Sequence, residues 1–301
     1  MRHFDLSTLD ASDLKQAYVD HGYVVVRETM SESDLLEINT DLKKISRGDY
    51  DTDVIDPVDW DPDGERLLAR HMDIGQPHVF SETINRFVKH RSLTNVLDHV
   101  VGAFVPFWDG GYKCIQTMFV NKDPGGKGSP WHQDEHAIPT RDRSLTGVWI
   151  PTTDVDEENG CLWIVPDSHR SGVIYDRHEH DDPEVDFHAE ARGFDASSTI
   201  PLPMEAGSVL FFSGYLLHSS KPNRTNTYRP TLTLHYTSAT TWLTWRDERN
   251  YRGGTLVRGK DPYVDQGFTT PAPWAHTADK ANRKAVTLAQ QTRQDSSEQK
   301  E

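Results

Sequence analysis

The feature that most restricts the fold of this chain is a series of short β-prone segments that begins after Gly102. Turn-forming residues separate the segments, which are KCIQTMFV, LTGVWIPTT, CLWIVP, SVLFFS and RPTLTLHYT. Many short strands joined by turns are typical of a β-sandwich or a β-barrel. The sequence therefore predicts a mainly β core over about residues 103–245.

The first hundred residues differ, because apolar residues there recur at helical spacing. The predicted helical regions are residues 12–22, 31–48 and 81–102, the last with a break near Arg91. Ser31 and Asp34 have the spacing of a capping box, and the segment YVVVRE between the first two helices predicts a strand. Helices come first and strands later, which argues against a Rossmann fold and for a β core with flanking helices.

Three other segments have no clear periodicity. Residues 49–78 are rich in Asp, Pro and Gly and predict a long loop, and residues 177–198 predict an irregular, acidic and His-rich insertion. Both are candidate lids over a site. The tail is polar and is predicted to be flexible. The predicted organisation is one domain over residues 1–278, with helical support over about 1–102 and the β core over about 103–245, followed by the tail at 279–301.

Composition excludes several function classes. The 301 residues carry a net charge of −15, which disfavours nucleic-acid binding, since that needs Lys and Arg to replace phosphate counterions. The chain lacks a run of 18 apolar residues, so no membrane span is expected. The first residues lack a signal-peptide pattern and the chain has two cysteines, so we expect a cytoplasmic protein without disulfides.

Two histidines and an aspartate form the most specific chemical pattern. In SPWHQDEHAIP, residues 129–139, His132 and Asp134 are two apart and share one face of an extended strand. His218 follows a strongly apolar segment and is the candidate third ligand, because neighbouring strands can bring distant positions together. Two imidazoles and one carboxylate leave three octahedral positions open, as in non-haem Fe(II) oxygenases, although zinc hydrolases use the same ligand types.

A hydroxyl and a guanidinium follow the second histidine. Ser220 is in phase with His218, and Arg229 lies at the start of the next predicted strand. A guanidinium can bind a carboxylate through two parallel hydrogen bonds. We therefore expect Arg229 to hold the far carboxylate of a 2-oxo acid such as 2-oxoglutarate, with a hydroxyl added by Ser220.

The segments WHQDEHAIP, ENGCLWIVPDSHRSG and GSVLFFSGYLLHSSKPNRTNTYRPTLTLHY, together with AYVDHGYVVVRE near the start, carry a family resemblance. The chain resembles the phytanoyl-CoA dioxygenase family of Fe(II)- and 2-oxoglutarate-dependent oxygenases over roughly residues 12–240. The resemblance implies a double-stranded β-helix, or jelly roll, flanked by helices. Fe(II) and 2-oxoglutarate are the cofactor and co-substrate that it implies.

The resemblance also assigns roles to individual residues. His132, Asp134 and His218 would bind iron, and Arg229 and Ser220 would bind the C5 carboxylate of 2-oxoglutarate. Gln116 would lie near the co-substrate or substrate, and Trp149 would line the pocket. Halogenating relatives have a small residue where this chain has Asp134, so hydroxylation is the expected reaction.

Four other polar residues are less specific. Lys122 is either a second anchor for an anionic group or part of an exposed loop, and His136 either lines the substrate pocket or is exposed. Glu135 is out of phase with the triad. His235 is predicted to be a strand residue of the core.

The sequence thus predicts an Fe(II)- and 2-oxoglutarate-dependent dioxygenase that uses O₂ to hydroxylate a C–H bond of a small polar metabolite, releasing succinate and CO₂. The alternatives are a metal-dependent hydrolase that uses the same three ligands, and a non-catalytic binding protein on the same fold. Arg229 would have no task in the hydrolase, and the binding protein predicts broken ligands, whereas all three are present.

Overall fold

Two facing sheets contain most of the β-prone segments. The computed structural model describes residues 3–52, 72–243, 254–263 and 274–277. Its strands are β1 (His3–Asp5), β2 (Tyr23–Arg27), β3 (Met72–Gly75), β4 (Tyr112–Lys122), β5 (Ser129–His132), β6 (Thr146–Pro151), β7 (Leu162–Ile164), β8 (Arg177–Glu179), β9 (Ala189–Ala191), β10 (Ile200–Leu202), β11 (Val209–Ser213), β12 (His218–Ser220), β13 (Arg229–Ser238), β14 (Thr255–Arg258) and β15 (Trp274–Thr277).

In the described part of the chain, the large sheet has nine strands and the small sheet has four. The large sheet runs β1–β2–β11–β6–β13–β4–β3–β15, with β14 also paired to β4. The small sheet runs β10–β7–β12–β5. Because the strands that are neighbours in space are mostly distant in sequence, the two sheets bring together residues that lie a hundred positions apart.

The helices pack on the outer face of the large sheet. Their bounds are α1 (Ala11–His21), α2 (Glu32–Arg47), α3 (Glu82–Val88) and α4 (Arg91–Val100), and a one-turn helix α5 (Asp134–Ala137) follows β5. The capping box of Ser31 and Asp34 begins α2 as predicted, and the predicted break near Arg91 separates α3 from α4. Helices α1 to α4 bury their apolar residues against this face, as the periodicity of their sequences predicts, whereas α5 lies at the cavity.

Alternation along the strands divides the core into two layers. In β2, Val24 and Val26 face the helices, where they join a cluster with Leu14, Ile38 and Val148. Their neighbours Tyr23 and Val25 face the other way, into a cluster formed with residues of the small sheet. The large sheet is therefore buried on both faces, and the functional cavity lies on the side of the small sheet.

Two predictions about irregular regions need correction. The predicted loop at 49–78 contains β3, which forms by pairing with β4 although its sequence is too short to show periodicity; residues 53–71 lie outside the described residues. The insertion at 177–198 is not wholly irregular, because β8 and β9 form a hairpin there. The region 1–102 contributes the predicted strand β2 to the large sheet, and also β1 and β3.

The predicted tail at 279–301 lies outside the described residues, so the boundary of the domain at residue 278 stays a prediction. Both cysteines, Cys114 and Cys161, are buried free thiols. Among the residues described, no helix is both long enough and apolar enough to cross a bilayer.

Candidate active site

His132 and His218 face each other across the small sheet, where β5 and β12 pair in register at these two residues. Each ring is oriented by a backbone carbonyl of its own segment. Nδ1 of His132 lies 2.8 Å from the Pro130 oxygen, and Nδ1 of His218 lies 3.0 Å from the Leu216 oxygen. A ring that donates from Nδ1 carries its lone pair on Nε2, so both Nε2 atoms are available as ligands.

Asp134 completes the cluster from the first residue of α5. The intervening Gln133 is extended, so Asp134 returns to the face of His132. Its Oδ1 lies 3.5 Å from Nε2 of His132 and 3.7 Å from Nε2 of His218. Among the described residues, these three form the one cluster of His, Cys, Asp and Glu with ligand atoms close enough to share an ion.

The charges at the cluster suit a cation. Burial alone would raise the pKa of Asp134, but the imidazoles of His218 and His235 outweigh burial and hold its pKa well below the ordinary value. Burial, helped by the neighbouring His132, lowers the pKa of His218 to about 4. An ionised carboxylate beside the neutral imidazole of His218 is the protonation state that metal binding requires.

The donor set fits a transition metal of octahedral preference. Two imidazole nitrogens and one carboxylate oxygen surround one point on the cavity wall, which is the facial arrangement of non-haem iron sites. His132, Asp134 and His218 are therefore the residues that would hold Fe(II). Their assignment as ligands stays a prediction, while their convergence is a feature of the fold.

A cationic cluster lies in the same cavity. Arg229 begins β13 and pairs with Lys122 at the end of β4. Both side chains are 3% exposed. The guanidinium of Arg229 lies 5.7 Å from the centre of the Trp149 ring, within the range of a cation–π contact. Arg229 and Lys122 thus place two cationic side chains in the same part of the cavity.

Ser220 adds a hydroxyl to this cluster. Its Oγ accepts hydrogen bonds from Nζ of Lys122 at 2.9 Å and from the backbone N–H of Ser129 at 3.2 Å. Nζ of Lys122 also donates to the Lys221 carbonyl at 2.7 Å. Because Ser220 Oγ accepts two hydrogen bonds, its hydroxyl proton is left to donate to another group.

All seven predicted site residues line one cavity of about 570 Å³ between the two sheets. They are Gln116, His132, Asp134, Trp149, His218, Ser220 and Arg229. The cavity volume is in the range of small-molecule sites. The structure thus brings together residues that the sequence spreads over 114 positions, from 116 to 229 inclusive.

Two lining residues were not assigned a firm role from the sequence. Lys122 is not part of an exposed loop, because it is buried at the end of β4, in phase with Gln116. His235 is buried in β13 as predicted, but its Nε2 also lies 3.0 Å from Oδ2 of Asp134. Lys122 is an even number of residues from Gln116, and His235 is an even number of residues from Arg229. Residues an even number apart on a strand share one face, and this is the signal that could have placed Lys122 and His235 in the cavity.

The residues next to Asp134 have other positions. His136 is exposed and does not line the cavity. Glu135 is buried and accepts hydrogen bonds from the Thr140 hydroxyl and the Arg141 backbone N–H. Burial raises the pKa of Glu135 to about 7. Neither side chain is placed to act on a ligand in the cavity.

The sequence is similar to known proteins over most of this fold. The family model described as phytanoyl-CoA dioxygenase (PhyH) matches residues 18–231. The chain belongs to the phytanoyl-CoA dioxygenase family. The prediction of the family is therefore confirmed, and the predicted class of enzyme is that of the family.

Individual relatives carry the same family name. Phytanoyl-CoA dioxygenase 1 of Oryza sativa subsp. japonica is 34% identical over 123 residues, which cover 40% of this chain and 43% of the relative. The peroxisomal phytanoyl-CoA dioxygenase of Homo sapiens is 26% identical over 244 residues, covering 75% and 68%. Three of the relatives are 30–34% identical to this chain, and the matched residues span about half of their length, at 43%, 58% and 45%. The cytoplasmic location stays a prediction.

Solved structures confirm the predicted jelly-roll fold with flanking helices. The epimerase SnoN in complex with Fe3+, alpha ketoglutarate and nogalamycin RO has a TM-score of 0.59 at 18% identity, covering 83% of this chain and 96% of SnoN. EvdO2 from Micromonospora carbonacea var. aurantiaca complexed with 2-oxoglutarate has a TM-score of 0.58 at 20% identity, covering 80% and 96%. At these identities the likeness concerns the fold.

Proposed function

We propose that this protein is an Fe(II)- and 2-oxoglutarate-dependent oxygenase that hydroxylates a C–H bond of a small molecule. The carrying observation is that one cavity holds both the His132, Asp134 and His218 cluster and the buried guanidinium of Arg229. Three candidate metal ligands beside a cationic cluster suit a co-substrate that has a chelating end and an anionic end. 2-Oxoglutarate has both.

Iron, when bound, would supply the redox chemistry by which O₂ oxidises the co-substrate to succinate and CO₂ and the substrate to an alcohol. The protein's part is to bind, to orient and to exclude water. The backbone carbonyls behind His132 and His218 hold the two rings in place before any ligand arrives. This preorganisation lowers the cost of assembling the site.

The co-substrate's far carboxylate would bind at Arg229. Ser220 would donate its hydroxyl proton to the same carboxylate, because its oxygen already accepts from Lys122 and Ser129. The ammonium of Lys122 adds positive charge in a site with little access to water, where such charge is weakly screened. The three side chains together would select a dicarboxylate over a simple 2-oxo acid.

The rest of the cavity would hold the substrate. Its wall is apolar at Met118, Val120 and Ile138, whereas Lys127 and Arg177 add charged groups. Such a wall accepts a small molecule that combines an apolar part with a polar or charged group. The two charged groups support the small polar metabolite predicted from the sequence.

The hydrolase alternative is less well supported. It needs a general base near the metal, but the nearby carboxylate of Glu135 is bonded to Thr140 and Arg141 and does not line the cavity. It also leaves the buried Arg229 without a task. The non-catalytic alternative would not require all three candidate ligands to be present and close together, as they are here.

The test is anaerobic reconstitution with Fe(II) and 2-oxoglutarate, followed by addition of O₂ in the presence of a panel of small polar metabolites. We expect succinate release that depends on O₂ and is stimulated by the substrate, with one oxygen atom added to the product. His132→Ala should abolish succinate release, Arg229→Ala should chiefly raise the 2-oxoglutarate concentration required, and the exposed His136→Ala is the matched control.

Hydrolysis supported by Zn(II) without 2-oxoglutarate would contradict the proposal. A product of unchanged oxidation state, as in epimerisation, would refute hydroxylation but would still be compatible with an Fe(II)- and 2-oxoglutarate-dependent enzyme. An unchanged 2-oxoglutarate requirement in Arg229→Ala would refute the assignment of that residue.

A further inference from the structure

His235 lies at an irregularity of the large sheet, and this irregularity is next to the three candidate metal ligands. His235 pairs with Gln116, whereas the next residue, Tyr236, pairs with Cys114, so the pairing with β4 skips Ile115. A bulge of this kind changes the direction of nearby side chains and is frequent beside active sites. Here it accompanies an imidazole that reaches the carboxylate of Asp134 from the large sheet, opposite the two histidines of the small sheet.

The two oxygens of Asp134 have different neighbours. Oδ1 faces Nε2 of His132 and of His218, the atoms with which it would share an ion. Oδ2 lies 3.0 Å from Nε2 of His235, in a contact where both side chains are at most 10% exposed. In this contact the carboxylate oxygen of Asp134 accepts and Nε2 of His235 donates.

We propose that His235 is a positioning residue that makes Asp134 bind the metal through one oxygen only. This inference rests on the proposed function. A carboxylate can bind a metal through one or both oxygens. With one oxygen used, the three protein ligands leave three of six octahedral positions, enough for a chelating 2-oxo acid and O₂. With both oxygens used, two positions remain, and the co-substrate would fill them.

The other ring nitrogen of His235 argues against a role in packing alone. Nδ1 is buried and has no hydrogen-bond partner among the described residues. A buried polar atom without a partner costs about 1–3 kcal/mol. An apolar side chain of similar volume would fill the same space without this cost, so the N–H of Nε2 is the feature that distinguishes histidine here.

The experiment compares His235→Gln, whose amide can keep a donor near the position of Nε2, with His235→Leu, which keeps volume and removes the donor. The probe is Co(II), whose affinity is measured by calorimetry and whose visible absorption depends on coordination number, both without turnover. We expect roughly 10- to 100-fold weaker Co(II) binding in the leucine variant, as for other partners of metal ligands, and a changed spectrum. The glutamine variant should stay within about threefold of wild type.

His169→Leu is the matched control, because His169 is also buried and bonded through Nε2, to the Val19 carbonyl, but lies outside the cavity. Its Co(II) affinity should equal that of wild type. If His235→Leu does not fold, His235→Asn replaces it, since the shorter amide places its donor farther from Asp134.

Two results would overturn the proposal. One is a leucine variant with wild-type Co(II) affinity and spectrum, which would mean that the hydrogen bond does not control the ligand. The other is equal weakening in the leucine and glutamine variants, which would mean that ring packing matters instead. Failure of the wild-type protein to bind Co(II) would instead refute the metal site of the proposed function, so the two failures are distinguishable.

Discussion

Removing the hydroxyl of Ser220 tests the anionic end of the cavity. The oxygen of Ser220 accepts from Lys122 at 2.9 Å and from Ser129 at 3.2 Å, which leaves its proton for the carboxylate of 2-oxoglutarate. A hydrogen bond to a charged group contributes about 1.5–3 kcal/mol. Ser220→Ala should therefore weaken 2-oxoglutarate binding by roughly 10- to 150-fold.

The assay is calorimetric titration of the Co(II)-loaded protein with 2-oxoglutarate, so that turnover does not interfere. Ser219→Ala is the matched control: Ser219 is 6% exposed, precedes Ser220 on β12 and does not line the cavity. A second ligand, 2-oxobutyrate, has the same 2-oxo acid group but no far carboxylate. Its affinity should be the same in Ser220→Ala and in wild type.

A change of less than threefold for 2-oxoglutarate would refute the reasoning. Equal losses for 2-oxoglutarate and 2-oxobutyrate would refute it differently, since they would place the effect of Ser220 at the metal end or in the packing of the sheet. Thermal unfolding of each variant checks that the fold is retained.

Two predictions concern stability. Lys113 and Asp261 form a buried ion pair at 2.7 Å, with side chains 5% and 4% exposed. Asp261→Asn should lower the free energy of unfolding in urea by about 3–5 kcal/mol, whereas replacing both residues by apolar ones should leave it nearly unchanged. Equal losses in the single and the double variant would contradict this prediction. Burial lowers the pKa of His78 to about 4, so the unfolded state takes up the proton at a higher pH than the folded state does. The contribution of neutral His78 to the free energy of unfolding is therefore fully present above pH 6.5 and is lost as the pH falls towards 4. Relative to His78→Gln, wild type should lose about 3 kcal/mol between pH 7 and pH 4, and parallel pH profiles would contradict the assignment.

The sequence alone was enough to predict the main residues of the candidate site, because each has a local signature. His132 and Asp134 lie two residues apart beside a strand, and alternation within an extended segment places them on one face. Arg229 was found from its position at the start of a β-prone segment, which is where β13 begins. The capping residues at Ser31 and Asp34 located the start of α2 for the same reason, since capping depends on neighbouring backbone atoms.

The short strands and the hairpin were not predicted, since their stability depends on partners distant in sequence. β3 has four residues and pairs with a strand more than forty positions away, and β8 and β9 join a mostly exposed hairpin without apolar alternation. Lys122 and His235 were in phase with recognised site residues, but phase along one strand does not tell which face of the sheet borders a cavity.

The sequence by itself determined the fold class and indicated the candidate metal ligands, because side-chain chemistry and the alternation of apolar residues are properties of short segments. Only the tertiary structure decided that Lys122 binds the oxygen of Ser220 and that His235 binds the second oxygen of Asp134. These contacts join residues about a hundred positions apart, and they depend on the register between strands, which non-local hydrogen bonding and packing establish.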